Sequence, residues 1–562
     1  MDKAKIWCEN TKSDYIAGCG ASLLDIARSI MPAETEGTED KQILAALVDG
    51  TLKDLNFKVF RPHKVEFIGY SHPNGIRTYV RSLCFVLQKA VKELFPDKNL
   101  VIKYALPSGH YCELHDSEGH IYILSGEEIK ALKRQIKNII SRDLPFRKEK
   151  LTEEEAGKIF VGNRQPAKID LMKSLGRYTT SVYFLDGYGD TFYGPLLPSS
   201  GYLRAFELRP FSKGVCLQYP PQGKKDVILP MTRQIKIASA LEEHDRWCRI
   251  LGTGNVGALN KTILEGHAKQ IINLAEARHE RKYAEMADAV RRHRDAKIIF
   301  IAGPSSSGKT SSSLRLAQQC KISGMNPKVI ELDNYFVERE KTPRDENGEY
   351  DFESLHAMDL EFLNRQLNEL LGGREVEIPK FDFKTGSRHF EGNRMRLEED
   401  DILIMEGIHA LNPEMVSGVD SSKIFRIYAT ALTSLSIDEN NNISTTDSRL
   451  LRRIVRDNRV RGITPEETIL RWDSVRRGEN RNIFPFQENA DYIFNSALIF
   501  ELPLLKFYAE PLLRRISPVS PAYSDAVRLL KFLSYVVALS PEEIAVIPPA
   551  SIMREFIGGQ NL

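Results

Sequence analysis

The chain has 562 residues, of which 42% are hydrophobic and 27% charged, and its formal net charge is +2. This composition excludes a disordered or fibrous protein, and the near-neutral charge means that any basic, nucleic-acid-binding surface must be local. At about 150 residues per domain, the length predicts three or four domains.

The spacing of the cysteines and the length of the apolar runs indicate the cellular compartment of the protein. The seven cysteines are scattered and never form a C-x-x-C pair, which is typical of a reducing compartment and not of a disulfide scaffold or a zinc ribbon. The N-terminus lacks the apolar core of a signal peptide. The longest apolar runs, such as Ile298–Ala302, have about five residues, whereas a membrane span needs about 18 to 20. We therefore expect a cytoplasmic protein with no membrane partner.

The first 226 residues fall into two patterns. Residues 1–68 mix short alternating segments with a helical stretch at 22–30, where Leu23 and Ile26 recur at helical spacing. Residues 69–226 alternate predicted helices with predicted strands and end in a β-rich segment. The predicted helices are 79–95 and 126–142, and the predicted strands are 100–105 and 121–124. This second pattern is typical of an α+β domain.

Residues 227–294 are predicted to form a helical connector. Apolar side chains step by threes and fours from 260 to 294, which predicts one helix about 50 Å long that separates two domains. His279 occupies a position in this apolar stripe and is interpreted as a packing residue, not as a metal ligand.

Five apolar runs alternate with helical segments in residues 295–500, which predicts a five-stranded parallel sheet covered on both faces. The runs are 298–302, 329–332, 402–405, 425–428 and 492–494. Residues 501–562 have the dense apolar pattern of packed helices. The predicted fold class is therefore multidomain, with α/β and α+β parts.

A glycine-rich motif follows the first of these runs. Residues 303–310 read GPSSSGKT and fit G-x-x-x-x-G-K-[ST], a pattern whose backbone N–H groups surround phosphate oxygens. Its lysine approaches the β- and γ-phosphates, its threonine ligates Mg²⁺, and the following helix favours an anion at its N-terminus. The sequence therefore predicts an ATP phosphate site made of Gly303, Ser305, Ser306, Ser307, Gly308, Lys309, Thr310 and Ser311.

Two acidic residues follow other predicted strands. Glu406 ends the run 402–405 and offers a hard oxygen ligand for Mg²⁺, beside Thr310. Asp333 ends the run 329–332, at the sheet edge where ligands bind, and can take the proton of an attacking hydroxyl. A turn-forming acidic residue is the alternative interpretation at both positions.

The segment 449–461 contains six arginines, and its only acidic residue is Asp457. Because so many cations without matching acids would repel one another, we predict that a polyphosphate neutralises them, as in the lid of a kinase. A solvated helix face is the alternative. A GTPase is disfavoured because no N-K-x-D segment follows the glycine-rich loop.

Taken together, these motifs resemble the uridine kinase/phosphoribulokinase family over residues 296–500. Further segments that carry the resemblance are LDNYF at 332–336, YDFE at 350–353, PKFDF at 379–383 and Ser387-Arg388. The resemblance implies that Asp333 is the base. It also implies lid arginines and a nucleoside pocket. The lid residues would be Arg453, Arg456 and Arg461, and the pocket residues Phe336, Phe352, Glu353, Phe381, Phe383 and Arg388.

The chain departs from the uridine kinase pattern in that pocket. The family has Tyr where Phe381 stands, His where Gly386 stands and Asp where Glu353 stands, and one late lid arginine is Ile463 here. A lost hydrogen-bond partner can change selectivity by orders of magnitude. Kinase chemistry therefore follows from the resemblance, whereas uridine as the acceptor does not.

Residues 1–226 resemble parts of threonyl-tRNA synthetase. Residues 1–68 resemble its TGS domain, of β-grasp type, and 69–226 resemble its second additional, editing domain, most clearly in DTFYGPLLPSSG at 190–201. Of the four metal-ligand positions of that domain only His72 is retained, while Ile76, Phe192 and Leu196 occupy the others. Because zinc needs three or four N, O or S donors, we expect no catalytic metal and no editing activity here.

The order of these modules resembles a group of bacterial uridine-kinase-like nucleoside kinases, whose C-terminal tail resembles residues 551–559. We expect five parts: a TGS-like domain (1–68), an inactive editing-like domain (69–226), the connector (227–294), a P-loop nucleoside kinase domain (295–500) and a helical extension (501–562).

The predicted activity is transfer of the γ-phosphate of Mg-ATP to a hydroxyl of a nucleoside-like molecule, by a homo-oligomer. The alternative is an RNA-associated P-loop ATPase whose N-terminal half binds tRNA or a nucleotide. An aminoacyl-tRNA hydrolase is disfavoured by Phe192 and Leu196.

Overall fold

The computed structural model of the chain describes residues 3–31, 43–107, 109–232, 234–344, 348–382 and 384–562. Within these residues, no helix combines the length and the apolar character that a membrane crossing requires.

The N-terminal part is a mixed sheet that packs against one helix, the β-grasp arrangement predicted from the sequence. The strands run in the order β2-β1-β7-β4-β5, with β1 and β7 parallel. Ser22 caps the helix by accepting a hydrogen bond from the Asp25 amide, and Leu23 and Ile26 enter the core. The elements are β1 (Lys3–Cys8), β2 (Ser13–Gly18), β3 (Ala21–Ser22), α1 (Leu23–Ile30), β4 (Ala45–Val48), β5 (Thr51–Lys53), β6 (Lys58–Val59) and β7 (His63–Ile68).

The second part is α+β, as predicted. Strands β10-β9-β15-β14, with β8 paired to β9, form one antiparallel sheet, and β11-β12-β13 form another. The first helix starts at Pro73, earlier than the predicted residue 79, because His72 caps it and proline is favoured at the first helical position. The elements are α2 (Pro73–Leu94), β8 (Asn99–Leu106), β9 (Gly109–His115), β10 (Ile121–Tyr122), α3 (Gly126–Ser141), β11 (Arg147–Thr152), α4 (Glu153–Gly162), α5 (Pro166–Leu175), β12 (Thr179–Leu185), β13 (Tyr188–Asp190), β14 (Glu207–Phe211) and β15 (Gly214–Gln218).

The prediction of one connector helix about 50 Å long is wrong, because the chain breaks it into shorter helices. Three helices occupy this region, α6 (Ile235–Ile250), α7 (Val256–Leu264) and α8 (Ala268–Arg292). The break comes at Gly266, whose φ of +82° is incompatible with a continuing helix. Helix α8 does not separate two domains, since Tyr283 and Met286 pack against Ile299 and Ile301 of the next sheet. His279 is buried in this stripe.

All five predicted strands of the kinase-like region are present, in one parallel sheet of order β17-β22-β16-β23-β24. The carboxyl ends of β16, β17 and β22 lie side by side, which brings together the glycine-rich loop, Asp333 and Glu406. The elements are β16 (Ile298–Ala302), α9 (Lys309–Ile322), β17 (Asn326–Glu331), α10 (Leu360–Leu371), β18 (Val376–Glu377), β19 (Lys380–Asp382), β20 (Ser387–His389), β21 (Arg394–Met395), β22 (Asp401–Glu406), β23 (Ile424–Thr430), α11 (Thr445–Arg456), α12 (Pro465–Asn482) and β24 (Tyr492–Asn495).

The C-terminal residues are helical, as predicted, and join the preceding parts through one apolar core. Leu259 of α7, Leu451 of α11 and Leu529 near the C-terminus belong to the same buried cluster. The helices are α13 (Glu501–Leu513), α14 (Tyr523–Leu533), α15 (Pro541–Ile544) and α16 (Arg554–Ile557).

Candidate active site at the carboxyl edge of the parallel sheet

The glycine-rich loop has the backbone of an anion-binding turn. Ser306 and Gly308 have positive φ values of 58° and 82° immediately before α9 begins. A side chain at Gly303 would lie 2.0 Å from the Ala429 carbonyl oxygen, so only glycine fits there. The hydroxyls of Ser306 and Ser307 are buried and have no hydrogen-bond partner within the described residues. Unpaired donors at a helix N-terminus favour a phosphate ligand.

Two buried arginines of α11 hold this loop in place. The Arg449 guanidinium donates to the Ser305 carbonyl over 3.0 Å, and that of Arg452 donates to the Ser306 carbonyl over 3.3 Å. Each arginine is paired with a buried carboxylate, Arg449 with Glu479 of α12 (2.7 Å for one of its two hydrogen bonds) and Arg452 with Glu501 of α13 (2.6 Å). The Glu479 carboxylate also accepts from the Ser305 amide over 3.0 Å.

These pairs correct the prediction that the arginine segment lacks matching acids. Glu479 and Glu501 lie 30 and 49 residues away in the sequence, so only the folded chain brings them to the arginines. Arg449 and Arg452 are therefore structural supports of the loop.

The Arg452–Glu501 pair yields a stability prediction. Glu501→Gln keeps the side-chain shape but leaves a fully buried guanidinium without its counter-charge, which costs about 3–5 kcal/mol. We expect a thermal unfolding midpoint several degrees lower for the variant chain. Glu510→Gln is the matched control, because Glu510 lies on the same helix and pairs with the exposed Arg514, where such a change costs at most about 1 kcal/mol. Equal shifts in the two variants would contradict a supporting role for the buried pair.

The three arginines predicted to close over phosphates converge on one carboxylate. Arg453, Arg456 and Arg461 lie 3.1, 3.0 and 3.4 Å from the buried Asp457, which starts a π-helical turn after α11. Arg453 also donates to the Ser305 hydroxyl over 2.9 Å. The segment thus sits beside the phosphate loop, with its guanidinium groups held by Asp457.

Asp333 lies in a short helical turn directly after β17. Burial raises the pKa of this carboxyl, and the positive charges of Lys309 and Arg461 act against that rise. Burial and the nearby Glu479 carboxylate likewise raise the pKa of Glu353 to about 7. The fold therefore places Asp333 and Glu353 close enough to Lys309 for its charge to lower the pKa of both carboxyl groups.

Thr310 and Glu406 are also brought together. The Thr310 hydroxyl donates to the Glu406 carboxylate over 2.6 Å, and burial raises the pKa of Glu406 to about 7. A buried carboxylate beside a hydroxyl is a hard oxygen pair, which suits Mg²⁺. The residues at these two positions therefore fit the predicted metal.

The predicted pocket residues are only partly assembled. The Phe336 and Phe381 rings pack with centroids 5.7 Å apart, whereas Phe352 is about half exposed, at 47%. Arg388 pairs with Asp359 at 3.0 Å and lies over the Phe362 ring. Phe383 lies outside the described residues.

A feature that sequence reasoning missed is the contact of the C-terminal tail with the loop. A side chain at Gly308 would lie 2.2 Å from the Cδ1 atom of Ile552. The Ser311 hydroxyl donates to Glu555 over 2.5 Å, so it points to the tail and not into the predicted phosphate site. The resemblance of residues 551–559 to the tail of related proteins was the available signal, without any indication of where the tail packs.

The four positions that the sequence resemblance aligns with metal ligands have other contacts in this chain. The His72 ring caps α2 by accepting from the Asn74 amide over 3.0 Å. Phe192 and Leu196 are buried in the apolar core, and Ile76 packs against it. No group of three or more metal-ligating side chains occurs among the residues that the structure describes.

Comparison with known proteins matches both halves of the chain. The N-terminal half is similar to threonine–tRNA ligases: that of Rubrobacter xylanophilus is 30% identical over 192 residues, and that of Syntrophomonas wolfei 30% over 190. Each match covers 34% of this chain, and the chain spans 28% of the length of these relatives. The predicted resemblance of this half is confirmed.

Comparison also finds solved structures and a family that are similar to the C-terminal half. A solved structure described as a possible uridine kinase from Bacillus stearothermophilus is 22% identical, with a TM-score of 0.24, over 36% of this chain and 89% of that one. D-glycerate 3-kinase from Cryptococcus neoformans is 12% identical, with a TM-score of 0.21, over 45% of this chain and 87% of that one. At such low scores, the assignment rests on the family match: the model of the phosphoribulokinase/uridine kinase family covers residues 298–499. This segment, which contains the glycine-rich loop and the five-stranded parallel sheet, is a P-loop kinase domain of the phosphoribulokinase/uridine kinase family.

Proposed function

We propose that this protein transfers the γ-phosphoryl group of ATP to a hydroxyl of a nucleoside-like small molecule. One observation carries the proposal: an enclosed carboxylate, Asp333, shares the field of the loop lysine Lys309 and lies three residues before Phe336 of the Phe336–Phe381 pair. An ATPase without an acceptor has no need for a base next to an aromatic pocket.

The proposed reaction is an in-line displacement. Asp333 takes the proton of the acceptor hydroxyl as the hydroxyl oxygen attacks the γ-phosphorus, and the bond from that phosphorus to the β–γ bridging oxygen breaks to release ADP. Lys309 and the loop amides stabilise the charge on the transferring group. Thr310 and Glu406 would hold Mg²⁺, which supplies further charge neutralisation on the phosphates.

The proposed lid role of the three arginines is supported by their position. Arg453, Arg456 and Arg461 all pair with Asp457, and Arg453 also donates to the Ser305 hydroxyl of the loop. Phosphate oxygens of ATP would give these guanidinium groups further acceptors of the kind that they bind in pairs.

The acceptor pocket differs from that of uridine kinases in a way that the fold makes hard to reverse. Gly386 has a φ of +73°, and a side chain there would lie 2.7 Å from the Nε atom of Arg339. The family histidine therefore does not fit at this position. An acceptor would therefore lack, at this position, the histidine contact that the resemblance implies for uridine kinases.

The test is an acceptor panel. ADP release by the full chain is measured with Mg-ATP alone and with each of a set of nucleosides, small alcohols and sugar phosphates. We expect a nucleoside to stimulate ADP release and to be recovered as its monophosphate by mass spectrometry. Stimulation only by a non-nucleoside would reject the acceptor class, and ATP hydrolysis that no acceptor stimulates would favour the RNA-associated ATPase.

Glu353→Gln tests the pocket itself. A hydrogen bond to a charged group contributes about 1.5–3 kcal/mol, so we expect the KM for the acceptor to rise by about 10- to 100-fold. The KM for ATP should change little. Glu361→Gln, an exposed acidic residue in the first turn of α10, is the control and should leave both constants unchanged. A rise in the KM for ATP alone would remove Glu353 from the acceptor pocket.

A further inference from the structure

The last part of the chain packs against the start of helix α9. We define the C-terminal tail as residues 551–560. The Ser311 hydroxyl, in the first turn of α9, donates to the Glu555 carboxylate over 2.5 Å and accepts a hydrogen bond from the Gln560 amide over 2.7 Å. Because Ser311 directly follows the G-x-x-x-x-G-K-[ST] motif, the tail lies beside the residues that surround the phosphates.

The tail also contacts the arginine segment 449–461. The Arg459 guanidinium donates to the backbone carbonyls of Glu555 and Phe556, over 3.0 Å in each case. The buried Arg452 guanidinium lies over the Phe556 ring, 5.1 Å from its centroid. The tail therefore joins the helix of the phosphate loop to the segment that is predicted to form the lid.

The tail has a buried side and an exposed end. The Ser551 hydroxyl donates to the buried Glu276 of α8 over 2.5 Å, and the Phe556 ring is fully buried. Gly559 and Gln560, by contrast, are exposed. The buried contacts fix the backbone of the tail, so the polar groups at its exposed end are held next to the loop and are accessible to a ligand.

The strand order indicates which end of ATP lies near the tail. Strand β16 leads into the phosphate loop, and β22 and β17 lie on one side of it, with Asp333 following β17. Strand β23 lies on the other side of β16 and leads to α11, which the tail contacts through Phe556. In the proposed reaction the γ-phosphate faces the Asp333 carboxylate. The ribose and base, at the opposite end of ATP, then leave the loop on the β23 side, where the tail lies.

The polar groups of the tail suit a nucleoside and not a phosphate. A carboxylate such as that of Glu555 repels phosphate oxygens, but it accepts hydrogen bonds from ribose hydroxyls, as acidic residues do in dinucleotide-binding folds. The Gln560 side chain offers both donors and an acceptor to the edge of a base. Gly558 and Gly559 have φ values of +97° and +74°, and the absence of side chains there lets a flat ring approach the backbone.

We propose that the C-terminal tail forms the nucleoside end of the ATP site, with the Glu555 carboxylate bound to the ribose hydroxyls and the Gln560 amide beside the base. This inference rests on the proposed function, because it takes ATP as the phosphate donor at the glycine-rich loop. It assigns recognition of the donor to residues that lie beyond 298–499, the segment that matches the kinase family.

The test measures nucleotide binding by the full-length chain without an acceptor. Titration calorimetry compares Mg-ATP with the Mg complex of 2′,3′-dideoxy-ATP, which has the same base and phosphates but neither ribose hydroxyl. Glu555→Gln keeps the shape of the side chain and an oxygen for the Ser311 hydrogen bond, and Gln560→Ala removes the amide. The controls are Glu542→Gln, in the first turn of α15, and Asn561→Ala, both at exposed positions. Thermal unfolding verifies that each variant is folded.

We expect the wild-type chain to bind Mg-ATP about tenfold more tightly than the dideoxy nucleotide, since a hydrogen bond to a charged group is lost with the hydroxyls. Glu555→Gln should weaken Mg-ATP binding about five- to tenfold and leave binding of the dideoxy nucleotide unchanged. Gln560→Ala should weaken the binding of both nucleotides about threefold and keep the preference for ATP. The two controls should bind both nucleotides as the wild-type chain does.

The outcomes separate this inference from the proposed function. If the wild-type chain binds no Mg-ATP, the phosphate-site assignment fails and the inference fails with it. If it binds Mg-ATP without preference over the dideoxy nucleotide, or if Glu555→Gln weakens both equally, the tail supports the loop without contacting the ribose, and only the inference is overturned. Unchanged Mg-ATP binding by Gln560→Ala overturns the base contact. The wild-type comparison stays decisive even if Glu555→Gln does not fold.

Discussion

Lys309→Ala is expected to reduce ATP turnover to less than a tenth of the wild-type rate. The lysine follows the positive-φ turn at Gly308 and begins α9, and its positive charge acts on Asp333, Glu353 and Glu406. Electrostatic stabilisation of the transferring phosphoryl group contributes several kcal/mol in sites of this kind, and a methyl group supplies none of it. The measurement is ADP release under saturating Mg-ATP, with the acceptor that the panel identifies.

The control for this variant is on the same helix. Lys321→Ala removes an exposed lysine from the last turn of α9, about 18 Å along the helix from Lys309. It should retain full turnover. If Lys309→Ala kept more than a tenth of the wild-type rate while remaining folded, the loop would not be the phosphate site.

Asp333→Asn is expected to separate ATP binding from phosphoryl transfer. The amide keeps the shape of the side chain but cannot accept the hydroxyl proton, so transfer should fall by about 10²- to 10⁴-fold while the affinity for ATP is retained. Stopped-flow or calorimetric ATP binding and acceptor-dependent ADP release are the two measurements. Loss of ATP affinity with substantial remaining transfer would make Asp333 a structural residue or a metal ligand.

The pH profile gives an independent readout for Asp333. Because burial raises the pKa of this carboxyl, the wild-type kcat/KM should fall on the acid side at a pH above the ordinary range of an aspartate. The base works only when ionised, so activity is present above its folded-state pKa and lost as the pH falls through it. Asp333→Asn should alter this acid limb, to which Glu353 and Glu406, with pKa values of about 7, also contribute. In Glu331→Gln the limb should persist and move to lower pH, since the Glu331 charge raises the pKa of Asp333.

The sequence predicts well those parts of the fold that depend on a run of consecutive residues. A fully buried parallel strand needs an uninterrupted apolar run, and each of the five runs forms a strand of the central sheet. The glycine-rich loop is likewise a contiguous motif, and its turn forms where the motif lies. The short helices α4 and α5 were not predicted, because their few buried positions give a weak periodic pattern.

The parts that could not be predicted depend on contacts between distant segments. The acids that neutralise Arg449 and Arg452 come from α12 and α13, so a count of charges in the arginine segment alone gives the wrong inference. A cavity of about 450 Å³ has the same origin, since three of the lysines that line it, Lys53, Lys148 and Lys531, come from separate parts of a nearly neutral chain. The roles of Asp333, Glu353 and the lid arginines remain predictions that the proposed experiments address.

The packing of the C-terminal helices bears on how this kinase domain can be moved between proteins. The segment that matches the family ends at residue 499, yet the counter-charge of Arg452 is Glu501 and the side chain that lies against Gly308 is Ile552. A kinase domain excised at residue 499 would keep the glycine-rich loop. It would lose Glu501 and Ile552, the two side chains that contact Arg452 and Gly308. Recombination, whether natural or engineered, would therefore have to transfer the kinase domain and the helices that follow it as a single unit.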